Sequence, residues 1–275
     1  MTTSHDPVPL DSRISAVVLT RDEARHIVPC LRTLQWADEQ LVVDSRSSDA
    51  TADLAATMGA RVVVLPWDNF AGQRNFALEQ ARSRWVLFVD ADERVPLELA
   101  DEIREAVAES VAGGARTPVG YWVPRQNLIL GHWVRHAGWH PDYQLRLFRV
   151  AAGRYDPLRP VHELVLLDGP AARLKTPLVH HNYVSWRQFW AKQRAYARME
   201  AAQLHGNGQR AKARNFVLQP LRELRRRYVS LEGYREGAIG LQLSLVLAAA
   251  NFTMYRDLWR VGRGVRSARA VQEQG

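Results

Sequence analysis

A short apolar run that ends in acidic residues constrains the fold of this chain more than any other feature. Trp85–Val89 contains only valine, leucine and aromatic side chains, and Asp90, Asp92 and Glu93 follow it closely. A run of this length and composition is typical of a buried β-strand. Carboxylates at the carboxyl end of such a strand lie where open α/β sheets bind ligands, and two so close together suit Mg²⁺ or Mn²⁺. The alternative is a solvated turn in which Asp92 caps a helix.

Alternating strands and helices on both sides of this run predict the rest of the sheet. The predicted strands cover 14–19, 40–43, 61–65 and 85–89, and the predicted helices cover 29–34, 50–58, 71–81 and a segment that Pro96 opens. Pro29 is expected to begin the first helix, and Gly59 to end the second in the left-handed conformation. Right-handed crossovers between parallel strands bring their carboxyl ends to one edge. Asp44, Asp90 and Asp92 are therefore expected to lie together.

The pattern changes after Gly113 and Gly114, where glycine, proline and aromatic residues separate shorter apolar segments. Segments 121–124, 144–150 and 161–167 are strand-like and predict a mixed extension of the sheet. From Trp186 onward the chain is predicted to be helical. The predicted class is thus α/β, with a mixed, mainly parallel sheet flanked by helices and a C-terminal helical extension.

Composition limits the partners of the chain. Its 275 residues are 47% hydrophobic and 24% charged, as in ordinary globular proteins. Cys30 is the only cysteine, which excludes a disulfide framework and is consistent with a reducing cytosol. The net charge of +8 favours anionic partners such as nucleotides or acidic lipids. The start of the chain does not resemble a signal peptide, and polar residues interrupt the apolar stretch 241–252, so no transmembrane helix is expected.

Several motifs, in this order, resemble family 2 glycosyltransferases. Segments 16–23, 42–51, 72–77 and 89–94 resemble the family's first strand and turn, its Asp-Ser-x-Ser segment, the stretch before the metal strand, and the metal motif. Segments 124–127, 131–133, 138–148 and 161–163 are similar to the bacterial lipopolysaccharide-core subgroup (inner-core β-glucosyltransferase-like), which transfers a sugar to heptose or a related acceptor. The resemblance runs from about residue 14 to about residue 260. Arg46 replaces the usual glycine, Asp22 the usual asparagine and Arg74 a common lysine.

The resemblance implies a GT-A-like, Rossmann-type fold and a division of the chain. We predict a flexible N-terminus over 1–13 and a catalytic domain over 14–183, with a nucleotide half at about 14–115 and an acceptor half at about 116–183. The remainder, 184–275, is predicted to be a helical extension that lies near a membrane or forms a dimer.

Site residues follow from the chemistry that the resemblance implies. A nucleoside diphosphate leaving group gains negative charge, which a divalent cation can stabilise, and inversion needs a base for the acceptor hydroxyl. The residues predicted to bind the nucleotide sugar are Thr20, Glu23, Asp44, Arg74 and Asp90. Those predicted to bind Mn²⁺ or Mg²⁺ are Asp92 and His162, and those predicted to act as the base are Asp142 or, as a substitute, Glu163. The acceptor-binding residues are predicted to be Trp139, Gln144 and Arg146.

Each assignment has a structural alternative. Glu23 and Asp44 would cap a helix or a turn, and Arg74 would lie on a solvated helix face. Asp142 would cap the turn at Pro141, with Gln144 and Arg146 in an ordinary strand. His180 and His181 contact either phosphate or acceptor, or are buried and hydrogen-bonded.

The predicted partners are a nucleotide-sugar donor, with UDP-sugars fitting best, and a glycolipid acceptor. No nucleic-acid partner is expected. The basic segment Arg222–Arg227 is either a solvated helix face or a dock for an anionic leaflet. Aromatic residues that fit such an interface are Trp186, Trp190, Tyr196 and Trp259. The predicted location is therefore cytoplasmic, on the inner face of the plasma membrane, although the apolar stretch from Leu241 would also suit packing on the catalytic domain or a homodimer.

Two other functions compete with glycosyl transfer. A sugar-phosphate nucleotidyltransferase keeps the fold but usually needs a glycine-rich phosphate loop near the first strand, and Leu19–Glu23 contains no glycine. A non-enzymatic module that binds anionic surfaces would use the positive charge but would not need carboxylates clustered on one sheet edge.

Overall fold

The structure, a computed structural model, describes residues 10–67, 69–114, 117–156 and 165–272, with side chains as far as Arg263 along the last helix. The chain divides into two compact units, Met1–Gln126 with Asp142–His180, and Asn127–Pro141 with His181–Gly275. Of the predicted N-terminal segment 1–13, residues 1–9 lie outside the described residues, and Leu10–Ser12 form a turn of 3-10 helix.

Four parallel strands form the first half of the sheet in unit 1. They are β1 (Ile14–Thr20), β2 (Glu39–Asp44), β3 (Arg61–Val64) and β4 (Trp85–Asp90), in the order β3-β2-β1-β4. The helices between and after them are α1 (Ala24–Arg32), α2 (Thr51–Thr57), α3 (Phe70–Gln80) and α4 (Leu97–Ala112). The apolar side chains of β1 and β4 are buried, as expected for parallel strands that helices cover on both faces. The predicted βαβ order is therefore confirmed.

The second half of the sheet is mainly antiparallel. Its strands are β5 (Glu93–Arg94), β6 (Gly120–Ile129), β7 (His132–Trp133), β8 (Tyr143–Arg149), β11 (Ala171–Arg173) and β12 (Leu178–Tyr183), while β9 (Gly153–Tyr155) and β10 (Val165–Leu167) form a separate pair. The order continues from β4 as β8-β6-β12-β5, and β8 is antiparallel to both β4 and β6. The predicted α/β class and mixed extension are confirmed. Of the predicted strand 161–167, residues 161–164 lie outside the described part.

Two predicted helix boundaries have different outcomes. Gly59 ends α2 with a φ of +84°, in the left-handed region, as predicted. Pro29 was expected to begin α1, but this is wrong, because α1 begins at Ala24 and contains Pro29. The proline removes the amide that would bond to the carbonyl of Arg25, and Arg25 is exposed, so that carbonyl can bond to water.

Unit 2 is mostly helical, as predicted from Trp186 onward. Its helices are α5 (Trp186–Gly206), α6 (Asn215–Arg225) and α7 (Gly237–Gln272), with a π-helical turn at Arg226–Ser230 and a 3-10 turn at Gly233–Glu236. Ser185 caps α5 by accepting a hydrogen bond from the Gln188 amide at 3.2 Å. The core of this unit contains Tyr183, Phe189 and Leu243.

One helical stretch of unit 2, Gly233–Arg263, is long and apolar enough to cross a membrane by length and composition, with a mean hydropathy of 1.5 in its most apolar window. Length and composition alone do not show that this stretch crosses a membrane, so the expectation of no transmembrane helix stays a prediction. The stretch remains helical through its polar residues, and the Ser244 hydroxyl donates to the Gly240 carbonyl at 2.7 Å within it. Of the residues in that window, 39% are buried inside the protein.

Candidate active site

The carboxyl ends of the parallel strands bring the predicted site residues into one row. Thr20 lies opposite Asp44 in the β1–β2 pairing, and Leu19 lies opposite Asp90 in the β1–β4 pairing. Asp44 and Asp90 are the last residues of their strands, and Asp92 follows two residues after Asp90. The prediction that these carboxylates share one sheet edge is confirmed, while their roles stay predictions.

Thr20 and Asp44 bond to each other. The Thr20 hydroxyl donates to Oδ1 of Asp44 at 3.0 Å, and Ser47 donates to Asp44 from its amide at 2.8 Å and from its hydroxyl at 2.5 Å. Asp44 is 2% exposed. The turn-capping alternative therefore describes part of what Asp44 does. A carboxylate has about four acceptor positions, so one remains on Oδ2 for a ligand hydroxyl.

The turn after β2 keeps the backbone of a glycine turn although it contains Arg46. Arg46 has a φ of +57°, in the left-handed region that glycine favours. Asp22 has the same φ of +57° and accepts a bond from the Ser48 amide at 2.7 Å. Asp22 thus joins the loop after β1 to the loop after β2. The two departures from the family pattern therefore leave these loops close together beside the site.

Glu23 lies at the N-terminal end of α1. Its amide donates to the hydroxyl of Thr51 at 2.8 Å, which ties the start of α1 to the start of α2. Its side chain makes no capping hydrogen bond, so the helix-capping alternative is not supported for this residue.

The buried Arg146 and the partly exposed Asp90 form the centre of the site. Arg146 donates from Nη1 to Oδ1 of Asp90 at 3.1 Å and from Nη2 to Oδ2 at 2.5 Å. Its Nη2 also donates to Oε1 of Glu93 at 3.1 Å. Arg146 is 6% exposed and Glu93 is fully buried. The guanidinium that is predicted to contact an acceptor is thus occupied by two carboxylates of its own chain.

The guanidinium of Arg146 affects the pKa values of Asp90 and Glu93 to different extents. Burial alone would raise the pKa of Asp90, but Arg146 and Arg74 outweigh it and hold that pKa well below its usual range. At Glu93 burial prevails over the attraction of Arg146, and repulsion from Asp90 adds to it, so the pKa of Glu93 is raised. Asp90 is therefore the carboxylate that stays charged in this cluster.

Arg74 points into the site from α3. Its Nη2 lies 3.6 Å from Oδ1 of Asp90, and its guanidinium carbon lies 5.0 Å from the ring centre of Phe88 and 5.4 Å from that of Tyr155. Only 13% of its side chain is exposed. The alternative of a solvated helix face is therefore wrong for Arg74.

Asp142 is held by two neighbours. Arg125 donates to Oδ2 from Nε at 2.9 Å and approaches it with Nη2 at 2.7 Å, while Gln144 donates to Oδ1 at 2.8 Å. Arg125 also lies 3.6 Å from Oε1 of Glu93. Arg125 thus connects the predicted base to the buried acidic centre. Gln144, predicted to bind the acceptor, orients Asp142 in this structure.

Asp92 and His180 are the neighbours best suited to a cation. Oδ2 of Asp92 lies 3.5 Å from Nε2 of His180, and His180 lies opposite Glu93 in the β12–β5 pairing. A carboxylate and an imidazole suit Mn²⁺, whereas Mg²⁺ prefers oxygen ligands. Among the described residues no group of three or more His, Cys, Asp or Glu side chains could hold a metal. A cation here would need phosphate oxygens and water as further ligands, which is usual for cations bound with nucleotides.

The remaining predicted residues lie elsewhere. His162 and Glu163 fall outside the described residues. Trp139 belongs to unit 2, where its ring lies 6.2 Å from those of Tyr183 and Phe189. It is therefore part of an aromatic cluster, and its predicted contact with an acceptor stays a prediction.

Sequence reasoning assigned no role to Glu93 and Arg125, and gave His180 only a weak one. Both Glu93 and Arg125 occur in segments that resemble the family, but a short motif does not tell which side chains pair. A signal for Arg125 exists in hindsight, because a basic residue next to Pro124 in an apolar strand needs an acidic partner when it is buried.

Comparisons with known proteins agree with this geometry. The family model described as Glycosyl transferase family 2 matches residues 15–159. LpsC of Rhizobium meliloti (strain 1021), named a lipopolysaccharide core biosynthesis glycosyltransferase, is 29% identical over 249 residues, which cover 86% of this chain and 90% of that protein. An uncharacterized glycosyltransferase of Rickettsia bellii (strain RML369-C) is 43% identical over 95 residues, so the match spans 34% of this chain and about a third (32%) of that relative's length.

A solved structure is similar over most of the chain. Residues 1–349 of TarS of S. aureus, crystallised in complex with UDP, are 16% identical with a TM-score of 0.46, covering 92% of this chain and 91% of that chain. The family model covers more than half of the sequence, including all four parallel strands. The chain therefore belongs to glycosyl transferase family 2, and it is a glycosyltransferase.

Proposed function

We propose that this glycosyltransferase is inverting and metal-dependent, and moves a sugar from a nucleotide sugar, of the UDP class, to a lipopolysaccharide-core or other cell-surface glycolipid. The observation that carries the proposal is the row formed by Thr20, Asp44 and Asp90 at one sheet edge, with Asp92 directly after it. The similarity to LpsC over most of both chains supports the acceptor class.

The donor would bind along this row. The remaining acceptor position of Asp44 suits a ribose or base hydrogen-bond donor, and Glu23 at the start of α1 suits a second one. Arg74 carries a positive charge close to Asp90, where it would meet a phosphate. Asp90 keeps Arg74 and Arg146 in place, so it would act on the donor through these arginines.

Asp92 and His180 would hold the cation. A bound Mn²⁺ or Mg²⁺ would supply a positive charge for the leaving diphosphate, which lowers the barrier without a protonation step. His162 remains a further predicted ligand. The partial exposure of Asp92, at 24% of its side chain, leaves it accessible to a ligand.

Asp142 would accept the proton of the acceptor hydroxyl. A neighbouring guanidinium favours the ionised form of a carboxylate, which is the form that accepts a proton, and Arg125 provides it at 2.7 Å. Arg125 and Gln144 would also fix the orientation of the carboxylate. Glu163 remains the substitute base.

Because the chain belongs to glycosyl transferase family 2, glycosyl transfer is favoured over the two competing functions, nucleotidyl transfer and non-enzymatic binding. Because a glycolipid acceptor stays in its bilayer, we place the enzyme in the cytoplasm on the inner face of the plasma membrane.

The test is release of nucleoside diphosphate in the presence of Mn²⁺, a panel of UDP- and GDP-sugars, and lipopolysaccharide core as acceptor. Turnover with a UDP-sugar is expected, and Asp92→Asn should abolish it while the melting temperature stays unchanged. Asp101→Asn, an exposed aspartate on α4, is the matched control and should keep full activity. Turnover that is equal with and without Mn²⁺, or full activity of Asp92→Asn, would contradict the proposal.

A further inference from the structure

Only unit 2 of this protein carries a net positive charge. By sequence, unit 2 contains 18 Lys and Arg against 6 Asp and Glu, a net charge of +12, whereas unit 1 contains 19 against 23, a net charge of −4. The overall charge of +8 therefore arises from the helical unit alone. A unit with this charge is attracted to an extended anionic surface.

One face of α7 is apolar and exposed. Leu241, Leu245, Phe252 and Trp259 are each between 40% and 48% exposed. At about 3.6 residues per turn these four side chains fall within an arc of roughly 40° around the helix. Arg263 lies over the ring of Trp259 at 4.4 Å, so basic charge borders the apolar face at its C-terminal end.

A second exposed apolar face lies beside it on α6. This helix has no buried residue, and Val217, Leu218 and Leu221 are 61%, 45% and 56% exposed. The ring of Phe216 lies 5.8 Å from that of Phe252 and 6.2 Å from that of Trp259, which joins the two faces. We call this surface the α6–α7 strip; it consists of Val217, Leu218, Leu221, Leu241, Leu245, Phe252 and Trp259.

Exposed arginines occur on the two helices that carry the strip. Arg214 directly precedes α6, Arg222 and Arg225 lie on it, and Arg260 and Arg263 lie on α7. Apolar side chains bordered by arginines are typical of a helix that lies in a membrane interface. In such a helix the aromatic rings lie at the boundary of the acyl chains, and the guanidinium groups lie among the lipid phosphates.

We propose that the α6–α7 strip docks unit 2 on an anionic phospholipid bilayer as a peripheral contact. Two copies facing each other through this surface would bring two strongly positive units together, which disfavours a homodimer. A transmembrane position is disfavoured because the opposite face of α7 is already covered: Met254 and Leu258 pack with Ala197 and Ala201 of α5. The inference specifies the membrane location proposed above.

Vesicle sedimentation of the full chain, without donor or acceptor, tests this inference separately from the transferase proposal. We expect binding to vesicles that contain phosphatidylglycerol, little binding to pure phosphatidylcholine, and release by salt. The variant Val217→Ser with Leu221→Ser should lose binding, and Arg222→Gln with Arg225→Gln should weaken it about 25-fold, since one surface arginine contributes roughly fivefold.

Matched controls come from unit 1. Leu10→Ser with Leu97→Ser likewise replaces two exposed aliphatic side chains with serine, and Arg32→Gln with Arg82→Gln removes the same charge, so both should bind as the unchanged protein does. Equal loss in these controls, or equal binding to neutral vesicles, would overturn the inference. So would a dimer in solution that Val217→Ser with Leu221→Ser dissociates, or retention in bacterial membranes after an alkaline wash, which marks a spanning helix.

Discussion

Arg146 of β8 donates two hydrogen bonds, of 3.1 and 2.5 Å, to the carboxylate of Asp90 at the end of β4. Asp90 and Asp92 are one residue apart, yet the structure gives them different neighbours. Asp90 lies against arginines, whereas Asp92 lies beside His180. The two carboxylates of the Asp-x-Asp motif are therefore expected to differ in function, with Asp90 organising the arginines and Asp92 meeting the cation.

The first prediction concerns the contribution of the Arg146–Asp90 pair to the stability of the protein. Arg146→Ala leaves the fully buried Glu93 without its main cation and removes two hydrogen bonds from the partly exposed Asp90, so it should lower the free energy of unfolding by about 3–5 kcal/mol, as measured by urea denaturation. Arg82→Ala, with 74% of the side chain exposed, is the control and should change it by no more than about 0.5 kcal/mol. A loss below about 1 kcal/mol for Arg146→Ala would mean that the pair contributes little.

The second prediction concerns pH and Glu93. Its pKa is raised by burial, so its contribution to stability is fully present below the unfolded pKa of about 4.3 and is lost as pH rises through the folded pKa. Glu93→Gln cannot lose a proton. The stability of Glu93→Gln relative to the unchanged protein should therefore increase as pH rises from about 4 to neutrality.

Urea denaturation of both proteins over this pH range gives the measurement. If attraction to Arg146 prevailed over burial at Glu93, the relative stability of the variant would instead decrease with rising pH.

The third prediction concerns the left-handed turn at Arg46. Because a φ of +57° is strained for residues with a Cβ, Arg46→Gly should be more stable than Arg46→Ala by about 1 kcal/mol in thermal or urea unfolding. Glu105, exposed inside α4, is the matched site where the order should reverse, with glycine less stable than alanine by about 1 kcal/mol. The same order at both sites would show that Arg46 is not strained.

The parallel half of the fold was predictable from the sequence because its signals are local. Apolar runs such as Trp85–Val89 define the strands, and the acidic residue at each strand end defines the edge that they share. Once β1 and β2 are parallel and in register, Thr20 must lie beside Asp44. The shared carboxylate edge was therefore accessible to sequence reasoning.

The pairing of the carboxylates with arginines was not accessible in this way. Arg125 and Arg146 come from β6 and β8, whose ladder contains an irregularity at Tyr121 and Trp122. A one-residue shift in register changes the face on which later side chains lie, and the sequence does not mark where such a shift occurs.

The fourth prediction concerns the base. If Asp142 accepts the acceptor proton, Asp142→Asn should lower kcat by about 10²–10⁴-fold while KM for the donor stays unchanged. Arg125→Gln should lower kcat less, because the carboxylate loses the side chain that orients it. Steady-state rates give both results, and Asp101→Asn is again the control. Normal kcat in Asp142→Asn would transfer the role to Glu163.

Calorimetric titration of the protein with UDP, in Mn²⁺ and in a chelator, tests the central claim most directly, because it asks whether the carboxylate edge holds a nucleotide through a cation. We predict binding that depends on Mn²⁺, weakened by Asp44→Asn and made independent of Mn²⁺ by Asp92→Asn. Equal UDP affinity in Mn²⁺ and in chelator, with Asp92→Asn behaving as the unchanged protein, would contradict the account.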